Sequence, residues 1–233
     1  MYGGLTILPL FLQTLLGYTA ELAGMATAPR GIGGLLGAIA AGVLASRVDG
    51  RKICLAGFAC FAGSSVMLAR LNAEVAMSSI VVPNLVMGFG LSLIMVTLMT
   101  LAMGLTSNEQ VGNATSIYNL ARNLGGSIGI SLSSAWVIRL AQMHQSDLSA
   151  HMNPYNPVFQ QRIGELTGHL TPLSGAAQAQ QQAFAFMQNT LLQQANLKGY
   201  MTVFMATALA VSLCVPALLL FRKVRSKGQV MMH

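Results

Sequence analysis

An all-α membrane fold, a bundle of six transmembrane helices, is predicted by three features of this sequence. Hydrophobic residues make up 54% of the chain and charged residues only 8%. The apolar residues are gathered into runs long enough to cross a bilayer. Short polar turns separate most of those runs. A soluble domain carries roughly 25% charged residues. With a mean hydropathy of +0.60, 233 residues do not offer enough charge to keep so large a surface in water. A soluble all-α protein with a very apolar core is the alternative, and the lengths of the runs speak against it.

Taken in order, the runs are residues 1–18, 22–46, 53–71, 75–104, 114–142 and 199–221. Each reaches or nearly reaches the ~20 apolar residues needed to cross a ~30 Å hydrocarbon core, and the first is the shortest. Lipid offers no partner to backbone N–H and C=O groups, so runs that cross it are helices. The turns 19–21, 47–52, 72–74 and 105–113 are short and force antiparallel neighbours. The connection 143–198 is different: long, polar and rich in Gln, Asn, His and Pro. Within it, residues 176–195 carry many Gln with Phe184, Phe186, Leu191 and Leu192 as the apolar part. That pattern fits an amphipathic helix and equally a Gln-rich low-complexity segment. The organisation expected is five helices over 1–142, a loop over 143–198, a sixth helix over 199–221 and a basic tail over 222–233.

The first residues have no basic lead-in, which sets them apart from a secretory signal. So abrupt an opening inside an apolar run fits a truncated reading frame or an excised fragment. The three cysteines, Cys54, Cys60 and Cys214, lie in apolar stretches. Their odd number and setting argue for packing rather than for a disulfide framework.

The net charge of +7 is distributed informatively. Arg47, Arg51 and Lys52 form one cluster, and Arg222, Lys223, Arg225 and Lys227 another. With alternating loops, both clusters fall on one side, seven cations in all. The opposite side carries Arg70, Arg139, Arg162 and Lys198. The positive-inside rule makes the first side cytoplasmic, with both termini, and puts the long loop outside. The same clustering beside apolar segments suits a membrane surface and not a nucleic-acid groove, and no zinc-finger spacing or aromatic platform accompanies it.

Two arginines stand within the runs. Arg30 follows Pro29 in the second. An Arg at a helix centre costs roughly 2.5 to 3.5 kcal/mol on insertion scales, so such a residue usually faces a bundle interior or an aqueous cavity. It can also snorkel outward past Glu21, and both readings stay open here. Arg122 lies beside Asn119 and Asn123, two amides spaced i,i+4 on one helix face. It lines a cavity or, if its helix starts near Gln110, rests among headgroups; these too stay open. Gly33 with Gly37, and Gly125 with Gly129, are small-xxx-small pairs that permit close helix approach. Gly88 and Gly90, near Pro83 and Asn84, offer flexibility in the fourth helix.

No Asp or Glu lies deep in any run, and no His lies in one; Glu21 is at a rim. Proton coupling needs a titratable group within the membrane, and this chain offers only cations there. Enzyme chemistry has no motif behind it: no metal-ligand cluster, no phosphate loop and no G-x-S-x-G. No cofactor or metal is expected.

Several stretches resemble one family. Gly42-Val43-Leu44-Ala45-Ser46-Arg47-Val48-Asp49-Gly50-Arg51-Lys52 is similar to the cytoplasmic loop motif of major facilitator transporters. Leu8-Pro9-Leu10-Phe11-Leu12-Gln13, Gly17-Tyr18-Thr19-Ala20, Ala23-Gly24 and Ala28-Pro29-Arg30-Gly31 resemble the fourteen-span drug:proton antiporters of the EmrB/QacA type. So do Ala121-Arg122-Asn123-Leu124-Gly125-Gly126-Ser127-Ile128-Gly129 and His151-Met152-Asn153-Pro154-Tyr155-Asn156-Pro157, the latter as in Gram-negative members.

The resemblance covers nearly the whole chain but only the C-terminal half of the major facilitator fold. It implies a multidrug exporter of the bacterial inner membrane that rocks two bundles about a central site, with antibiotic resistance as its outcome. It places Gln13, Arg30, Asn84, Asn119, Arg122 and Asn123 as candidate pathway residues. Gly42, Arg47, Asp49, Gly50 and Arg51 become a cytoplasmic gate, with Asp49 standing in for the acid that the motif usually carries at Ser46.

The partners implied are membrane lipid, small hydrophobic substrates, a periplasmic adaptor protein at the long loop, and a six- or eight-helix N-terminal half holding the coupling acids. Met95, Met99 and Met103 would suit varied hydrophobic compounds, though Met is equally good core filler. Three readings follow: half of an exporter that is inactive alone, a small carrier that self-associates, and a non-transport partner of a full-length exporter.

Overall fold

The computed structural model describes residues 2–71, 77–104, 106–107, 109–149, 152–153 and 155–216. The described residues form eight α-helices and no strand: α1 (Tyr2–Thr14), α2 (Ala20–Thr27), α3 (Pro29–Ala45), α4 (Gly50–Leu68), α5 (Met77–Met103), α6 (Val111–Ser149), α7 (Pro157–Ser174) and α8 (Ala176–Leu213). Two compact units emerge, one within Met1–Ser134 and Val203–His233, the other Ala135–Thr202.

Four helical stretches are long and apolar enough to cross a membrane: Ala20–Ala45, Gly50–Leu68, Ser79–Met103 and Val111–Ser149. Among the described residues, four of the six expected crossings meet that length and hydropathy. The first expected run, 1–18, yields only the 13-residue α1, about 20 Å long. Gly17 ends it, with φ +66, a left-handed conformation that glycine adopts without steric cost. Past that turn the Tyr18 N–H donates back to the Leu12 carbonyl at 3.0 Å. The last expected run, 199–221, ends in residues 217–221, which lie outside the described residues, as do the tail cations 222–227 and the turn residues 72–74.

The second run is two helices in series. Thr19 caps α2, its hydroxyl accepting from the Leu22 N–H at 3.3 Å. Pro29 then opens α3, where a missing N–H is harmless in a first turn. Ala28 between them keeps right-handed helical angles, φ −54 and ψ −36, so the interruption is a lost hydrogen bond and not a turn. α6 continues past residue 142 to Ser149. At 39 residues it measures about 58 Å, well beyond a ~30 Å hydrocarbon core.

Within the first unit, α3 and α4 both pack on α5. Lipid removes the hydrophobic driving force between helices, so close van der Waals contact must hold them. Glycines provide it. A Cβ placed on Gly33 would collide with the Leu85 carbonyl oxygen, and one on Gly37 with that of Phe89. On the other side of α5, a Cβ on Gly57 would lie 2.9 Å from the Gly90 oxygen, and one on Gly90 2.7 Å from the Gly57 oxygen. Gly90 is thus a contact within a continuous helix, not a flexible point. Ala41, Ile53 and Leu93 form a buried cluster, with Phe89 and Val96 packed against it. Gly125 and Gly129 differ: a Cβ on either meets nothing within 4 Å.

The second unit combines the end of α6, all of α7 and the first part of α8. Asn156 caps α7, accepting from the Val158 N–H at 3.0 Å, and Gly175, with φ +78, separates α7 from α8. The Phe159 and Phe184 rings pack with centroids 6.1 Å apart. Residues 176–195 are helical throughout and run without a break past Gly199. Ala, Gln and Leu are strong helix formers, and one glycine costs only ~1 kcal/mol, too little to stop such a helix.

Candidate functional site

Three prolines organise the polar centre of the first unit. Pro9 lies inside α1. Having no N–H, it leaves the carbonyl four residues earlier, that of Leu5, without its helical donor. Arg30 supplies one: its Nη1 donates to the Leu5 oxygen at 3.1 Å. Pro29 sets Arg30 in the first turn of α3. Pro83 lies inside α5, immediately before Asn84, whose side chain is fully buried. Nη2 of Arg30 donates to Oδ1 of Asn84 at 2.9 Å. Nδ2 of Asn84 in turn donates to the Ile80 carbonyl at 3.0 Å and, at 3.4 Å, to that of Ala26 in α2. One arginine and one asparagine thereby join α1, α2, α3 and α5.

The backbone approach that makes this reach possible depends on a further glycine. A Cβ on Gly88, one turn beyond Asn84, would collide with the carbonyl oxygen of Arg30 itself. Gly88, Gly33 and Gly37 together let α3 and α5 touch along three consecutive turns. Arg30 is half-buried, and its Nε is buried with no hydrogen-bond partner among the described residues. The guanidinium is turned inward, which decides against snorkelling. The arrangement can orient a permanent positive charge inside an apolar bundle, and so can bind a group of opposite charge.

The other pathway residues named from sequence are not brought to this centre. Gln13 is exposed near the end of α1. On α6, Arg122 and Asn123 are exposed and Asn119 is half-buried. The face of α6 that packs carries Gly126, against the Tyr2 ring, together with Gly129 and Ser133, against Gly3.

In the 42–51 stretch, Gly42 is exposed with open space around it. Arg47 is exposed. Asp49 holds the N-cap position of α4 without a capping bond from its side chain. Gly50 packs against α5, where a Cβ would meet Leu101 at 3.2 Å and Thr97 at 3.3 Å. Arg51 is half-buried, and its Nε has no partner among the described residues.

Sequence reasoning missed four members of the centre: the Leu5, Ala26 and Ile80 carbonyls and Gly88 as a contact. The first had a readable signal, because a proline at position 9 of an apolar helix always frees the carbonyl at position 5.

Comparison with known proteins bears on what this bundle is. The family described as Major Facilitator Superfamily matches residues 1–130. The chain is 28% identical over 214 residues to the fatty acid resistance protein FarB of Neisseria gonorrhoeae, covering 92% of this chain and 41% of that protein. It is 27% identical over 208 residues to the multidrug export protein EmrB of Escherichia coli strain K12, covering 89% and 39%. The EmrB of Haemophilus influenzae is 29% identical over 159 residues, covering 68% and 31%. The chain thus spans about two fifths of the length of the first of these relatives, FarB.

Proposed function

The chain belongs to the Major Facilitator Superfamily, and from that premise we propose that it forms one half of an exporter of small hydrophobic compounds. The observation that carries the reading is the Arg30–Asn84 centre: a polar, oriented site built into an apolar, glycine-packed bundle. A scaffold has no need of a charge at that depth, and retaining one costs several kcal/mol unless it works. Relatives named for multidrug export and fatty acid resistance support the same direction.

In this reading the bundle crosses a bacterial inner membrane six times. The crossings are α1, α2 with α3, α4, α5, α6 and the C-terminal part of α8. Both termini are cytoplasmic and the loop 143–198 is outside, where an adaptor protein would dock. The residues 42–51 serve as the cytoplasmic gate. Gln13, Asn119, Arg122 and Asn123 line the pathway toward a second bundle of six or eight helices. That second bundle supplies the carboxylates of proton-coupled antiport, since no Asp or Glu lies deep in any of this chain's apolar runs. The role is transport and not catalysis.

Expression in cells stripped of their own exporters tests this. The chain alone gives no proton-dependent efflux of a hydrophobic dye, and co-expression with the N-terminal half of a related exporter restores it. Robust efflux by the chain alone would sink the proposal. If that efflux came with a stable homodimer by mass measurement, a self-associating carrier would take its place.

A further inference from the structure

We infer that Arg30 is the latch of a hinge in α1. Its guanidinium takes the place of the N–H that Pro9 lacks, and when it lets go, the part of α1 beyond Pro9 bends away from α3 and α5. The inference stands apart from the export reading and concerns a movement within this bundle.

α1, α3 and α5 each carry a proline at this centre. Pro9 is in α1, Pro29 opens α3 and Pro83 is in α5. Sharp bends in helices sit at such prolines, where a backbone bond is missing. Two of the three have no freedom to use it. Pro29 stands in a first turn, and α3 is pressed on α5 through Gly33, Gly37 and Gly88. α5 is pressed on α4 as well, through Gly57 and Gly90, so it is gripped from two sides.

α1 is held unevenly. Its close backbone contacts lie before the proline. A Cβ on Gly3 would collide with Ser133 and Gly129 of α6, and one on Gly4 would lie 3.4 Å from Thr207 of α8. Beyond Pro9 only residues 10–14 of the helix remain, with no glycine among them. That part is held by the buried side chains of Phe11 and Leu12 and ends in the turn at Gly17. Packed side chains can slide past a neighbour by small steps, which a backbone-to-backbone contact does not allow.

The two ends of the Arg30 bridge differ in the same sense. Asn84 is a fixed anchor, fully buried and itself bonded to the Ile80 and Ala26 carbonyls. The Leu5 end is one bond, from Nη1 to a neutral carbonyl at 3.1 Å. Breaking it leaves the guanidinium oriented by Asn84 at 2.9 Å and reopens the gap at Pro9. The bridge therefore fastens the weakest point of α1 to the glycine-packed α3–α5 pair by a bond that can be broken and remade.

The test measures distances by electron paramagnetic resonance in the purified chain in phosphatidylcholine nanodiscs. Spin labels are attached through a ketone-bearing amino acid, so that the free thiols of Cys54, Cys60 and Cys214 stay as they are. One pair joins Gln13, beyond Pro9, to Met67 on α4. The control pair joins Thr6, before Pro9, to Met67. All three positions are exposed. The unaltered chain is expected to give one dominant distance for each pair, with a second state at about a tenth or less. Arg30→Gln raises a second Gln13–Met67 distance several-fold and leaves the Thr6–Met67 distance as it was, which also reports that the variant is folded. Adding Pro9→Ala to Arg30→Gln gives position 9 the N–H that closes the Leu5 bond, and the single distance returns. Should Arg30→Gln fail to fold, Arg30→Lys replaces it throughout, since one ammonium does not span both acceptors as the planar fork does. A single unchanged Gln13–Met67 distance in the variant overturns the inference. So does equal broadening of both pairs, which would make Arg30 a general brace, and so does a second distance that survives the added Pro9→Ala.

Discussion

Arg30 and Arg122 look alike in the sequence and differ completely in the fold. Each is an arginine in an apolar run, close to glycines, with asparagine available to it. Arg30 finds its asparagine 54 residues away, on another helix, at 2.9 Å. Arg122 has Asn119 and Asn123 on its own helix, and Arg122 and Asn123 are exposed. The difference lies in what each helix presses against. α3 meets α5 backbone to backbone across three glycines, which brings Arg30 within reach of Asn84. α6 rests on α1 through Gly126, Gly129 and Ser133, and Arg122 lies on that same side one turn before Gly126, where it stays exposed. Polar residues spaced along one helix report a shared face. They do not report whether that face is covered.

Glycine substitutions break this contrast most severely. Gly88→Leu drives a side chain into the backbone carbonyl of Arg30, where no flexible group can yield. Overpacking of this kind costs about 3 kcal/mol or more, and the expected outcome is a large fall in the thermal melting point in detergent, or no folded protein. Gly125→Leu, where a Cβ meets nothing within 4 Å, leaves the melting point nearly unchanged. Equal losses from the two would mean that the α3–α5 crossing is not the tight one. A smaller effect separates the asparagines. Asn84→Leu leaves Arg30 and two buried carbonyls short of a partner, a loss of about 1–3 kcal/mol. Asn123→Leu, on an exposed position, changes stability by about 0.5 kcal/mol or less. The same melting assay compares them, and a larger loss at Asn123 would reverse the assignment of the buried site.

Much of the fold was legible because hydrophobic run length is a one-dimensional property. The runs around α3, α4, α5 and α6 match helices to within a few residues at most ends. The exceptions are local. α1 stops early because Gly17 adopts a left-handed angle, which composition does not reveal. α8 starts early because an Ala- and Gln-rich segment is a good helix in spite of its polarity. The site divides in the same way. Arg30 was identifiable as a costly charge in an apolar run and Asn84 entered by resemblance, but their pairing across 54 residues is a matter of packing. Gly88 read as a source of flexibility and proved to be a contact, because a missing side chain has both meanings until the neighbour is known. Gln13 entered by resemblance alone and Asn119, Arg122 and Asn123 also as polar neighbours on one helix face, and no contact among the described residues joins them to the Arg30 centre.

The finest test of the contrast is at Pro9. If Arg30 is held inward because Pro9 leaves the Leu5 carbonyl without a donor, restoring the donor should loosen it. Pro9→Ala gives position 9 an N–H able to close the helical bond to Leu5, in competition with Nη1 of Arg30. Removing a proline from a helix interior favours the helix by up to ~3 kcal/mol in water. In a membrane bundle most of that gain is already met by groups that satisfy the freed carbonyl. The melting point should therefore move little, while the reactivity of Arg30 toward phenylglyoxal rises several-fold and that of exposed Arg122 stays constant. An unchanged Arg30 reactivity would show that Asn84 alone orients the guanidinium. The proline in α1 would then be a tolerated interruption, and the difference between the two arginines would rest on the α3–α5 crossing by itself.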